Sequence, residues 1–169
     1  IIRGARQVGK TWLMQEFGRK YYEKCAYINF DDNTRMNSLF NEDFNIEKII
    51  QGLKIESGVN IEPENTLIIL DEIQETPRAL KTLKYFCENA REYHVVSAGS
   101  LLGVAIHEGT SFPVGKVDLM DLMPLSFFEF LDALEQKDLL KILKLNDFDM
   151  LEVFSAKLKE YLKLYYFIG

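Results

Sequence analysis

Apolar residues follow two periods along this chain, and the alternation between them outlines the fold. Ile1-Ile2 reads as the end of a buried strand, and Trp12-Leu13-Met14-Gln15-Glu16-Phe17 as a helix. Ala26-Tyr27-Ile28-Asn29-Phe30 alternates and is rich in β-formers, which predicts a second strand. Ile46, Ile49, Ile50 and Leu53 fall at helical spacing, and Gly58, Asn60, Pro63 and Asn65 then break the chain into a loop. Leu67-Ile68-Ile69-Leu70 is a continuous apolar run, the pattern of a strand covered on both faces in a parallel sheet. Thr76-Pro77 starts a helix, a cap followed by proline in the first turn, with Leu80, Leu83, Cys87 and Ala90 as its buried stripe and Phe86 beside it. Tyr93 to Ala98 is a fourth strand. Val117 to Leu122 alternates apolar and acidic residues, as a strand exposed on one face does, and Pro124 ends it. Ser126-x-x-Glu129 is a capping box opening the helix of Phe127, Phe130, Leu131 and Leu134. Leu139, Leu143, Leu151, Phe154, Leu158 and Tyr165 continue at helical spacing.

Strands alternating with helices make this an α/β chain, with a core over residues 1–124 and a helical segment over 125–169, the start of a lid or of a following domain. A length of 169 residues, 47% hydrophobic and 27% charged, suits one globular domain with a small helical appendage. The first strand starts abruptly at Ile1 without a methionine, and Gly169 directly follows an apolar–aromatic run, so we expect a fragment of a longer protein. No apolar run approaches about 20 residues and nothing resembles a signal peptide, so a cytoplasmic protein without a membrane partner is expected. Cys25 and Cys87 lack metal-ligand spacing and read as reduced, buried thiols. His94 and His107 read as structural. With a net charge of −6 and a pI near 5.0, no global field draws the chain to nucleic acid. Residues 1–24 depart from this balance, with six basic side chains against Glu16 and Glu23.

That basic stretch contains the chain's most specific chemistry. Gly4-Ala5-Arg6-Gln7-Val8-Gly9-Lys10-Thr11 fits G-x-x-x-x-G-K-[ST], the phosphate-cradling P-loop. Gly4 and Gly9 allow a tight turn that aims backbone N–H groups at an anion. Lys10 supplies a mobile positive charge for the β/γ-phosphates, and the Thr11 hydroxyl can ligate Mg²⁺. The helix beginning near Lys10 directs its positive end, Trp12 included, at the same spot. Asp71 leaves a buried strand where ligands sit in open α/β sheets and is placed for the metal, the Walker B pattern. Glu72, 61 residues after Thr11, is placed to orient or deprotonate an attacking water. At the tip of the fourth strand, Ser100, favoured over Ser97, is either a contact to the γ-phosphate and water or a turn serine. Asp31-Asp32-Asn33, just past the second strand, is read as an Asx-type turn or helix cap rather than a metal site.

Arg3 to Thr11, Leu70-Asp71-Glu72-Ile73-Gln74, Ala98-Gly99-Ser100-Leu101-Leu102 and Pro124-Leu125-Ser126-Phe127-x-Glu129-Phe130 occur in this order. Together they resemble the AAA-type ATP-binding proteins of bacteria and archaea that carry a C-terminal domain of unknown function, related to the signal-transduction ATPases. The resemblance covers nearly the whole chain. It implies a P-loop sandwich with a five-stranded parallel sheet in the order 5-1-4-3-2, ATP and Mg²⁺ as cofactors, Asp71 and Glu72 as Walker B, and Ser100 as a sensor. Relatives often have Gly-Arg where this chain has Gly115-Lys116, which makes Lys116 the candidate cationic trigger. The expected function is Mg-dependent ATP binding with slow hydrolysis, switching a C-terminal effector domain, with a homo-oligomer among the candidate assemblies. The alternative is a nucleotide-gated binding module with little turnover. A small-molecule kinase would need an arginine-rich lid, and residues 101–169 contain no arginine.

Overall fold

The computed structural model describes residues 1–42, 45–99, 113 and 115–168. Its residues form two compact units, Ile1–Leu122 and Met123–Gly169. In the first unit the order is β1 (Ile2–Arg3), α1 (Lys10–Tyr21), β2 (Lys24–Asn29), α2 (Thr34–Glu42), α3 (Ile46–Ser57), β3 (Thr66–Asp71), a 3₁₀ turn (Ile73–Glu75), α4 (Pro77–Asn89), β4 (His94–Gly99) and β5 (Met120–Asp121). All strand pairings are parallel and the sheet order is β2-β3-β4-β1-β5, the expected 5-1-4-3-2 seen from the other edge.

Every residue of β3 is buried, and Ile68, Ile69 and Leu70 are wholly inaccessible. Each such side chain contributes about 1.5–3 kcal/mol of burial, so the apolar run predicted from sequence is the axis of the core. One side packs on Phe30, Phe40, Ile49, Leu53 and Leu80. The other packs on Met14 of α1 through Leu67 and Ile69. Helix α1 lies against β2, β3 and β4, which carries its first turn from the end of β1 towards the end of β3.

Several expectations are modified. Helix α2 lies where no element was predicted, and Asn33 caps it by accepting the Met36 N–H at 3.1 Å, so the cap reading of the Asp31–Asn33 stretch holds. The Thr76 hydroxyl does not cap α4 but donates to Asn37. Cys25 and Cys87 are half-buried rather than buried, and desolvation raises the Cys25 thiol pKa. The expected strand over Val117–Leu122 pairs only at Met120–Asp121, opposite the two residues of β1. Ser100 and His107 lie outside the described residues.

The second unit contains α5 (Phe127–Ala133), α6 (Lys137–Leu145), α7 (Phe148–Val153) and α8 (Ser155–Ile168). The predicted capping box is complete: the Ser126 hydroxyl accepts the Glu129 N–H and the Glu129 carboxylate accepts the Ser126 N–H. Phe127 and Phe130 pack on Tyr165, whose hydroxyl donates to the Leu125 carbonyl at 2.6 Å. Among the described residues, no helix is long and apolar enough to cross a membrane.

Candidate nucleotide site

A helix must leave its first N–H groups unpaired by its own backbone, and α1 leaves them facing a cavity. Its N-cap is Gly9, at φ 91, a left-handed conformation that favours glycine, and no side chain caps the turn. The first helical bond runs from the Leu13 N–H to the Gly9 carbonyl at 2.9 Å. No acid occupies the first turn, while Arg19 and Lys20 occupy the last, so the positive end of the dipole is uncompensated by the helix itself. Gly4 also meets a constraint that the sequence does not reveal. A Cβ there would fall onto the Leu122 carbonyl oxygen, because β5 leaves the sheet directly across from the loop. The Leu122 N–H donates to the Arg3 carbonyl at 2.8 Å in the same crossing.

The cavity measures about 600 Å³ and is lined by Arg6, Gln7, Gly9, Lys10, Thr11 and Trp12 from the loop and α1. Tyr27, Asn29 and Asp31 line it from β2 and the turn beyond, and Asp71, Glu72 and Glu75 from the end of β3. Of the predicted loop residues, Gly4, Ala5 and Val8 stand behind this wall. Lys10 is buried, and its ammonium donates to the Gly4 carbonyl at 3.1 Å and the Ala5 carbonyl at 2.6 Å. Thus Gly4 and Ala5 anchor the lysine by their carbonyls, and the exposed indole of Trp12 stands at the rim.

Thr11 and Asp71 meet although they are 60 positions apart: the Thr11 hydroxyl donates to Asp71 Oδ2 at 2.6 Å. The Tyr27 hydroxyl donates to the same oxygen at 3.0 Å, and the Glu72 N–H to Oδ1 at 3.1 Å. Burial first, then the Asp71 charge and hydrogen bond and the Glu72 charge, push the Tyr27 phenol up to about 12. Glu72 itself sits in left-handed backbone at φ 51, a conformation costing on the order of 1 kcal/mol in a non-glycine residue. Its carboxylate accepts from the Gln74 amide at 2.6 Å.

The donor set suits a hard cation: a hydroxyl beside a carboxylate, with oxygen atoms throughout. Among the described residues, no cluster of three or more His, Cys, Asp or Glu side chains is arranged to hold a metal. A cation between Thr11 and Asp71 would therefore draw its remaining ligands from phosphate and water, as Mg²⁺ does. The residues present fit Mg-nucleotide. Lys116 does not join them. Its ammonium pairs with Glu88 at 2.9 Å, beside the amino end of β4. Sequence reasoning missed Tyr27, Asn29 and Glu75. The only signal for the first two was their shared face on the alternating strand.

No curated protein matches the chain. Among solved structures it is similar to the ORC2 protein of Aeropyrum pernix, determined as ADPNP–ADP complexes, at 20% identity and a TM-score of 0.47. The match covers 82% of this chain but 45% of that one, so the chain spans less than half the length of the solved relative. The AAA domain family matches residues 1–131. A P-loop sheet of this order, closed over a loop that ends in Gly9-Lys10-Thr11, and a family match over most of its length make the chain a member of the AAA domain family.

Proposed function

We propose that this chain binds Mg-ATP in the cavity between the Gly4–Thr11 loop and the end of β3, hydrolyses it slowly, and uses the cycle as a conformational switch for an effector domain following residue 169. The observation that carries the reading is the 2.6 Å bond between Thr11 Oγ1 and Asp71 Oδ2, which joins the two halves of a Walker-type site at the cavity wall. The loop from Gly4 to Gly9 and the N–H groups of Lys10, Thr11 and Trp12 cradle the phosphates, and Lys10 turns from its loop carbonyls to the terminal phosphates. Thr11 and Asp71 would hold Mg²⁺, which would supply neutralisation of the phosphate charge. Glu72 orients the attacking water and takes its proton, with Ser100 as a sensor of the γ-phosphate. Residues 1–124 act as the ATPase core and 125–169 as the start of the lid or following domain. A neighbouring subunit in a homo-oligomer, or the effector domain, supplies the missing cation.

The test is Glu72→Gln in the longest available form of the protein. It should bind Mg-ATP with wild-type affinity and lose turnover by about 10²–10⁴-fold. Wild-type hydrolysis in that variant would remove Glu72 from the chemistry.

A second reading, a nucleotide-gated binding module with little turnover, has its own support. The Glu72 carboxylate is engaged by Gln74, and the cations lining the cavity among the described residues are Arg6 and Lys10. Phosphate release indistinguishable from buffer, alongside tight Mg-ATP binding, would favour it.

A further inference from the structure

Asp71 is held by more than the two sequence motifs that announce the site. Asn29 is its register partner on β2, and Tyr27 lies two residues earlier, so the pleat puts the side chains of Tyr27, Asn29 and Asp71 on one face of the sheet. The Tyr27 ring spans the distance to the carboxyl end, and its hydroxyl reaches Asp71 Oδ2 at 3.0 Å. That oxygen already accepts the Thr11 hydroxyl at 2.6 Å, while Oδ1 accepts the Glu72 N–H at 3.1 Å. Three donors from three places, β2, α1 and the backbone leaving β3, thus fix the plane of one carboxylate. Its fourth lone-pair direction, on Oδ1, is not used by any of them.

The geometry points to Tyr27 as a positioning residue: its hydroxyl orients the Asp71 carboxylate against Thr11, and the cation affinity of the site depends on it. The inference rests on the Mg-ATP reading above. Ligand-bearing carboxylates are commonly braced by an outer hydrogen bond, and removing such a brace typically costs 10–100-fold in metal affinity. A bystander role, in which the ring merely fills space between β2 and α1, would leave the hydroxyl dispensable.

The experiment compares Tyr27→Phe, Asp71→Asn, the double variant and wild type. The quantity measured is Mg²⁺ half-saturation for binding a non-hydrolysable ATP analogue, with Mg²⁺-free binding and the thermal midpoint read in parallel. Tyr27→Phe should raise the half-saturating Mg²⁺ by about 10-fold or more while Mg²⁺-free binding and the midpoint stay at wild-type values. The double variant should match Asp71→Asn, because both substitutions act through one carboxylate. Unchanged Mg²⁺ dependence in Tyr27→Phe, or losses that add in the double variant, would overturn the inference. So would a lowered midpoint with equal loss of Mg²⁺-free and Mg²⁺-dependent binding, which would make Tyr27 a packing residue. If wild type binds the analogue equally with and without Mg²⁺, the Mg-ATP reading itself fails and the role of Tyr27 falls with it.

Discussion

The amino ends of the strands and the cavity beside the phosphate loop use similar side chains in opposite ways. At the amino ends of the strands, charges are settled one against one: Lys24 with Glu62 and Lys116 with Glu88, both at 2.9 Å. Each lysine's hydrogen bond lowers the pKa of its partner glutamate. Tyr22 and His94 pair there as well, at 2.9 Å. The exposed Arg3–Asp121 pair at the carboxyl ends of β1 and β5 is settled in the same way, but in the cavity the partners seen for Lys10 are two backbone carbonyls, and those for Asp71 are two hydroxyls and an N–H. The cation and the carboxylate line one cavity, each hydrogen-bonded to neutral groups. A buried charge satisfied by neutral dipoles keeps its field for a ligand of opposite sign, whereas an exposed ion pair has little left to offer. Function follows from which charges are left uncancelled, not from where charges are most numerous.

The largest effect that would break this comparison is at Lys10. Replacing it with alanine removes the ammonium that the loop stores on Gly4 and Ala5, and with it a charge-assisted contact worth about 1.5–3 kcal/mol. Mg-ATP affinity should fall by roughly 10- to 150-fold with the fold intact, as calorimetric titration can measure. Unchanged affinity would mean that the buried cation serves only to tie the loop together.

Next comes Gly4→Ala, which tests whether the carboxyl end depends on close backbone packing. The added methyl would meet the Leu122 carbonyl where β5 crosses the loop. Overpacking of this kind costs about 1–3 kcal/mol, so the thermal midpoint should drop, and nucleotide binding should weaken because the Lys10 anchor shifts. A wild-type midpoint would show that Leu122 can move away without strain.

These two positions also mark what sequence can disclose. The glycine–lysine–threonine spacing, the buried run of β3 and the Ser126–Glu129 box were legible because each is a local rule: a turn, a two-face burial pattern, a cap. Helix α2 was not legible. Met36, Leu39 and Phe40 make a single apolar turn among Thr34, Asn37, Ser38 and Asn41, residues with weak helix propensity. Burial of Met36 and Phe40 in the core supplies what propensity lacks. Tyr27 was visible as a strand residue, but its partner Asp71 lies 44 positions away, and only the β2–β3 register brings the two together. A further constraint on Gly4 was hidden for a similar reason, since it comes from Leu122, at the far end of the unit.

The smallest expected effect is at Lys116, and it is the most discriminating. Resemblance to relatives with an arginine at this point made it the candidate trigger for hydrolysis. The structure instead pairs it with Glu88, near the start of β4, with both side chains partly solvent-exposed. Asp71 and the phosphate loop mark the opposite ends of strands such as β3, whose six residues span about 20 Å at 3.3 Å per residue. A lysine side chain cannot cover that distance without the segment before β5 relocating. An exposed pair of this type also adds little to stability and is screened by salt. Lys116→Ala should therefore leave Mg-ATP affinity, turnover and, at moderate ionic strength, the thermal midpoint at their wild-type values. Steady-state phosphate release measured across a range of protein concentrations is the critical readout. A loss of turnover that grows with concentration would mean that Lys116 reaches the γ-phosphate of a neighbouring copy, and that the pairing with Glu88 is the resting position of a mobile trigger.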